Sequence, residues 1–341
     1  MSAGFHGNNG LDPSTSIHIL KTYVIPILTY GLKVLIPDKK NITRLDCFFK
    51  KLLKQILSLP QNVADPVPYI ISGLIPIEGQ IHLKILTFMY NIFLLSKDST
   101  EKKIARRQLA FKDINSNSWF TEVKSLLWKY DLPEIYRLLE SPYTKYQWKK
   151  LLYKQVNVYW KNYMIEMSKL YKSIDFLNTE IYKPDKQHPL IYIKTVSTRD
   201  ANRIPIKLKV ASGQYILQAN RARFNQNQVD TRCQLCGEDE ENMEHFLLKC
   251  TIVQAMRDSV LDDIDIELNK LTVKAFYNLD SYLKIQILLD CSVLLNHGNH
   301  LCEDKLLLKQ LTQLEFQCRR FIYNMHTSRY KMLIRVKTRR R

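Results

Sequence analysis

The array Cys233-x2-Cys236-x8-His245-x4-Cys250 constrains this chain more than any other feature in it. Three thiolates and one imidazole at this spacing make a full tetrahedral ligand set, the arrangement that zinc takes in a closed structural site. A C-x2-C pair forms a tight knuckle that lets two sulfurs reach one ion, and Gly237 follows where such a turn calls for positive φ. The run from His245 to Cys250 reads as helical, with its two ligands on neighbouring faces and Phe246 and Leu247 packing beside the ion. Four protein ligands leave no open position, so the expected role of Zn2+ is structural and not hydrolytic. Bound zinc would contribute roughly 10 kcal/mol to local folding. The plainer alternative is that these are buried thiols of a reduced chain, packed as small apolar residues.

A length of 341 residues allows two or three domains and a sizeable core, and a hydrophobic content of 45% fits that. Lys and Arg number 51 against 33 for Asp and Glu, a net charge of +18 that points to a polyanionic partner, RNA and/or DNA, ahead of a membrane. The longest apolar stretch, Tyr23 to Ile36, contains Pro26 and Lys33 and is too short to span a bilayer. The first residues show no charged region followed by an apolar run, as a signal peptide would. Seven cysteines, an odd count, agree with free thiols and a metal site. An intracellular setting, cytoplasm and/or nucleus, is therefore expected.

Helical patterning dominates. Asp12 opens a segment with Ile17, Leu20, Val24, Ile27 and Leu28 at helical spacing, which Pro26 should kink. Ile42, Leu45, Phe49, Leu52, Leu53 and Ile56 make one apolar stripe, with Arg44, Lys50, Lys51 and Lys54 mostly off it, until Pro60. After Pro66, Pro68 and Pro76, further helices are expected over 77–95, 119–130, 145–171 and 305–326. Glycine, at nine residues, is scarcer than a β-sandwich would require. The expected fold is mainly α.

Basic residues interleave with aromatics at Trp148-Lys-Lys, Tyr153-Lys154 and Tyr159-Trp160-Lys161, but rings at helical spacing with lysines opposite suit a core face and a solvated face better than a base-stacking surface. Arg199, Arg203, Lys207, Lys209, Arg221 and Arg223 form a stronger candidate, a basic arm leading into the cysteine array. A second cationic stretch runs through Arg319, Arg320, Arg329, Lys331, Arg335 and Lys337 to Arg339, Arg340 and Arg341, and as an exposed tail it would contact phosphates or simply be solvated. No catalytic set emerges. Asp262-Asp263 has the look of a magnesium-holding pair but lacks a surrounding hairpin pattern, and reads as a solvated acidic face. Lys183-Pro-Asp185 with Asp200 is only a faint nuclease-like motif. Phosphate loops, dinucleotide fingerprints and nucleophile elbows are absent from the sequence.

Leu20-Lys-Thr-Tyr-Val-Ile-Pro-Ile-Leu-Thr-Tyr-Gly-Leu32 resembles the thumb region of non-LTR (LINE-type) retrotransposon reverse transcriptases, where a helix ends in a Tyr-Gly pair. The basic helix Leu45 to Pro60 and Gly73-Leu-Ile-Pro-Ile-Glu78 resemble its continuation, and Arg221-Ala-Arg-Phe-Asn-Gln226 resembles the approach to that family's C-terminal CCHC module. The order of these pieces is more specific than any one of them. The resemblance implies thumb-like helices over 1–60, a helical linker region over 61–198, a basic arm and zinc-binding module over 199–258, and C-terminal helices with a basic tail over 259–341. It carries over Cys233, Cys236, His245 and Cys250 as zinc ligands. No residue matches the palm aspartates that hold the two catalytic metal ions. The chain is thus expected to be a non-catalytic C-terminal portion that grips RNA and/or DNA, with the polymerase core as a further partner where that is made separately. The alternative is a helical interaction or scaffold protein with a purely structural zinc site.

Overall fold

A computed structural model describes residues 11–112, 116, 118–195, 197–225, 228–271, 275–295 and 305–339. Helices are the regular elements of the described residues, and the only β pairing among them is two isolated bridges, Lys183 with Lys186 and Arg232 with Glu240. The first half runs α1 (Pro13–Ile19), α2 (Ile25–Leu28), α3 (Lys39–Ile56), α4 (Pro66–Ser72), α5 (Ile77–Phe93), α6 (Thr100–Phe111), α7 (Trp119–Lys129), α8 (Ile135–Glu140) and α9 (Lys145–Lys169). The second half runs α10 (Pro189–Tyr192), α11 (Thr198–Ala201), α12 (Ile204–Ala211), α13 (Gln218–Phe224), α14 (Gln254–Asn269), α15 (Ser281–Leu289) and α16 (Lys305–Arg339).

Side-chain caps set several of these starts. Asp12 accepts from the Thr15 amide at 3.1 Å and Asp38 from the Asn41 amide at 2.7 Å, while Thr144 and Gln147 form a reciprocal capping box before α9. The expected kink at Pro26 takes the form of a π-helical turn, Leu20–Val24, between α1 and α2. Proline has no N–H to give and crowds the carbonyl four residues back, and a wider turn just before it relieves both problems. The helix expected over 305–326 runs on to Arg339, so the basic stretch after His326 is helical and not a loose tail.

Helix α5 is the axis of the first half. Ile77, Ile81, Ile85, Met89 and Phe93 are buried, and α5 packs against α3, α7 and α9. Gly79 permits the close approach of α9, since a β-carbon there would collide with the Trp160 indole. Trp148 stacks on Tyr90 with ring centroids 4.6 Å apart and Trp160 is buried, so the tryptophans of α9 face the core, whereas Tyr146, Tyr153 and Tyr163 are exposed. Gly73, at φ +69°, ends α4 in the left-handed conformation that glycine tolerates. Its carbonyl accepts from the Asp185 amide at 2.7 Å, which ties 183–188 to this half. Helix α16 is the axis of the second half and lies along α14, α12 and α15. One apolar cluster runs from Ile17 to Met325 without a break between the halves.

Candidate metal centre

The four array residues come together. Their ligand atoms all lie within 4.8 Å of one another, so Cys233, Cys236, His245 and Cys250 can hold a metal ion. Cys233 Sγ is 3.9 Å from Cys250 Sγ, and Cys236 Sγ is 3.4 Å from His245 Nε2. Cys233, His245 and Cys250 are buried and Cys236 is part-exposed.

Local backbone chemistry explains the convergence. The Gly237 amide donates to the Cys233 carbonyl at 2.8 Å with Gly237 at φ +75°, the tight turn anticipated from the C-x2-C spacing. The Cys233 amide donates to the Asp239 carbonyl and the Glu241 amide to the Thr231 carbonyl, both at 2.8 Å, closing a short antiparallel pairing beneath the knuckle. The second pair of ligands departs from expectation. Positions five apart on an α-helix point about 140° away from each other. Here His245–Lys249 is a π-helical turn, and the Cys250 amide donates to the His245 carbonyl at 2.8 Å. That wider turn brings ligands five apart onto one side. Asn242 Oδ1 caps the turn by accepting from the His245 amide at 2.9 Å.

The surroundings suit a charged cluster. A hydrogen bond with Cys250, followed by burial, pushes the Cys233 thiol up to about 12, while the same bond draws Cys250 down. Thiolates packed this closely need a cation before all of them give up their protons. Arg257, on α14, is buried near Cys250, and its Nη1 has no hydrogen-bond partner. His245 Nδ1 is 3.6 Å from Asp239 Oδ2, the kind of outer carboxylate that orients ligating histidines.

Helix α16 anchors the knuckle. Arg329 donates from Nε and Nη2 to the two oxygens of buried Glu241, each at 2.9 Å, and Glu241 also accepts from the Gln218 amide at 3.0 Å. Phe246, next to the ligand His245, stacks on Tyr215 with centroids 5.2 Å apart, and the Arg329 guanidinium lies over both rings.

The basic arm does not stay together. Arg199, Arg221 and Arg223 are exposed and Lys209 is half-buried. Arg203 and Lys207 lie inside the fold, contrary to their expected display on a cationic surface. Arg203 sits against the Phe316 ring and 3.8 Å from Asp200 Oδ1. Lys207, 1% exposed, donates to Glu315 Oε2 at 2.7 Å. Positions 203 and 207 are one turn apart on the face of α12 that meets α16. The cationic stretch along α16 is likewise divided. Arg319 is buried and donates to Glu315, Asp200 and the carbonyls of Leu190 and Ile193, each at 3.1 Å. Arg320 pairs with Asp263 at 2.9 Å, while Lys331 and Arg335 are exposed. The side chains of Lys337 and Arg339, and all of Arg340 and Arg341, lie outside the described residues.

The carboxylates set aside in the sequence stay apart. Asp262 and Asp263 sit on α14, bonded to Tyr277 and Arg320. Asp185 is exposed and paired with Lys21, whereas Asp200 is buried against Arg319. Sequence reasoning missed Glu241 and Glu315, and read their partners Arg319 and Arg329 as part of an exposed tail. The available signal was Glu315 and Arg319, four apart within the apolar stripe Leu311, Leu314, Cys318, Phe321, Ile322 and Met325, where an isolated charge needs a buried partner.

No family model matches this chain. Comparison with curated proteins likewise gives no match. Among solved structures, too, none matches it.

Proposed function

We propose that Cys233, Cys236, His245 and Cys250 hold a structural Zn2+, and that the chain is a zinc-stabilised nucleic-acid-binding module with no polymerase chemistry of its own. The preassembled donor set carries this reading. Tetrahedral zinc with Zn–S near 2.3 Å and Zn–N near 2.05 Å has ligand–ligand edges of about 3.8 Å for S–S and about 3.6 Å for S–N. The distances of 3.9 and 3.4 Å lie close to those edges before any ion is considered. A Cys3His set also favours zinc over magnesium or calcium, which take oxygen ligands.

The net charge of +18 supports a polyanionic partner, RNA and/or DNA. Arg221 and Arg223 on α13 and Lys331 and Arg335 on α16 are exposed on the two helices that flank Glu241. The sequence resemblance to the C-terminal part of LINE-type reverse transcriptases supports the same partner class, and on that reading a polymerase core is a second partner. None of the described helices is long and apolar enough to cross a membrane; the location proposed, cytoplasm and/or nucleus, follows instead from the proposed nucleic-acid partner and from free thiols gathered as metal donors.

One observation favours the scaffold reading instead. Arg203, Lys207, Arg319 and Arg329 are engaged by internal acids, so these residues of the two basic stretches are not free to meet phosphates. Binding of the zinc-loaded chain to labelled single-stranded RNA and duplex DNA across a salt series, with and without chelator, decides between them. The nucleic-acid reading expects sub-micromolar affinity at physiological salt, a log–log salt slope of roughly 0.7–0.9 per phosphate contact, and collapse of affinity on chelation. Weak binding that ignores zinc leaves the scaffold.

A further inference from the structure

A row of rings leads from the metal centre to the surface. Phe246 stacks on Tyr215, with centroids 5.2 Å apart and planes 19° apart. The Tyr215 hydroxyl is 3.1 Å from His326 Nδ1, and the two rings meet edge-on at 5.7 Å. His326 in turn lies against Tyr330, one helical turn along α16, with planes 27° apart and centroids at 6.3 Å. The first rings are buried or half-buried, but Tyr330 is 60% exposed. Burial, with Lys209 and Arg329 close by, lowers the His326 imidazole, so a neutral ring supports Tyr330. Lys331 and Arg335 are exposed on the adjoining turns.

We propose that the open face of Tyr330 is a stacking platform for an unpaired base of single-stranded nucleic acid, with Lys331 and Lys209 nearest to meet the strand's phosphates and Arg335 adding charge further round the helix. This rests on the nucleic-acid reading above and sharpens it to a strand class and a residue. A ring held by other rings loses little rotamer freedom when a base lands on it, and every base offers a face for stacking. Bases within a duplex are already stacked on one another, so the platform discriminates in favour of single strands. The cations alongside match the charge of the strand. A lipid surface is the poorer occupant, because Ile334 is the one other exposed large hydrophobic described on this last part of α16, and interfacial helices bury a broad apolar face.

The experiment compares the parent chain, Tyr330→Ala and Tyr330→Trp, all zinc-loaded. The probes are a labelled single-stranded RNA of about twelve nucleotides, an abasic strand of equal length, and a duplex DNA. Unchanged metal content and melting confirm that each variant is folded. The expected result is a loss of about 5- to 150-fold in single-strand affinity for Tyr330→Ala, with the abasic strand and duplex scarcely affected and Tyr330→Trp retaining affinity. Equal loss on all three probes, or no loss on the RNA, overturns the platform while leaving nucleic-acid binding intact. A parent chain that binds none of the probes removes the underlying reading and the platform with it. Tyr330-dependent binding to phosphatidylserine vesicles, without binding to RNA, overturns it in favour of a lipid surface.

Discussion

Around α5 the core closes almost wholly with apolar side chains, whereas around α16 it closes over charge. In the first half Ile81, Ile85, Leu86, Met89 and Phe93 meet Phe49, Leu53, Val123 and Trp148, and the buried lysines there, Lys54 and Lys102, give their ammoniums mainly to backbone carbonyls. In the second half Asp200, Lys207, Glu315 and Arg319 are each at most 1% exposed, and four sulfur and nitrogen donors crowd together at the knuckle. Apolar packing is non-directional and tolerates rearrangement, while buried ions stabilise only when every partner is present. The first half should therefore fail gradually under damage and the second abruptly.

The largest expected difference comes from metal. With zinc removed, the second half should lose roughly 10 kcal/mol of local stabilisation, because the binding free energy of a structural zinc is folding free energy. Hydrogen exchange read segment by segment checks this. Protection should vanish across 228–253 and weaken along α16, which Arg329 joins to the knuckle, while α5 and α9 keep theirs. Uniform loss across both halves would make the chain one cooperative unit and end the contrast.

The buried network gives the next effect. Glu315 accepts from Lys207 at 2.7 Å and from Arg319 at 3.1 Å. Burial disfavours the Lys207 ammonium, but the charge and hydrogen bond of Glu315, with Cys318 and Cys291 alongside, raise the group on balance, so Lys207 stays charged inside the core. Glu315→Ala takes from Lys207 the carboxylate it is bonded to and leaves Arg319 with Asp200 and two carbonyls, and should cost about 3–5 kcal/mol in urea unfolding. A change below about 1 kcal/mol would mean that α12 and α16 are held by their apolar contacts after all.

These same features mark where sequence reading reached and where it stopped. Periodicity carried the starts of α3, α5, α7 and α9 to within a few residues, because each has an apolar stripe and α3, α5 and α9 also have a proline or a capping residue at their starts. The metal donors were legible because all four fall within one short stretch and their chemistry is tied to spacing. The π turn was not, since five-residue separation reads as ordinary helix until the Cys250 amide is seen bonding to His245. The end of α16 was missed because the stripe that signals it stops at Met325, where the helix leaves the core. Glu241 and Arg329 stand 88 positions apart, and Lys207 and Glu315 stand 108 apart. Pairings at that distance leave no periodic trace, and a lysine or arginine carries nothing local that tells a buried cation from a surface one.

A pH measurement tests the apolar half at its buried histidine. His82 is buried on α5 with Nδ1 2.7 Å from the Tyr130 hydroxyl, which also accepts from the Trp160 indole N–H at 3.2 Å. The chain of bonds therefore runs from Trp160 through Tyr130 to a neutral imidazole. Burial, with Lys129 nearby, lowers His82 from 6.5 to about 4. The unfolded chain then binds a proton that the native state refuses. Stability is complete above about pH 6.5 and falls as pH drops toward 4, by about 3 kcal/mol for a shift of this size. His82→Gln should remove that part of the slope. Metal binding depends on pH as well, because the ligands bind deprotonated, so the informative quantity is the difference between variant and parent at each pH, from urea midpoints between about pH 4.5 and 7.5. Parallel profiles would show that the imidazole takes up its proton without cost, and that the α5 core admits charge more readily than its packing implies.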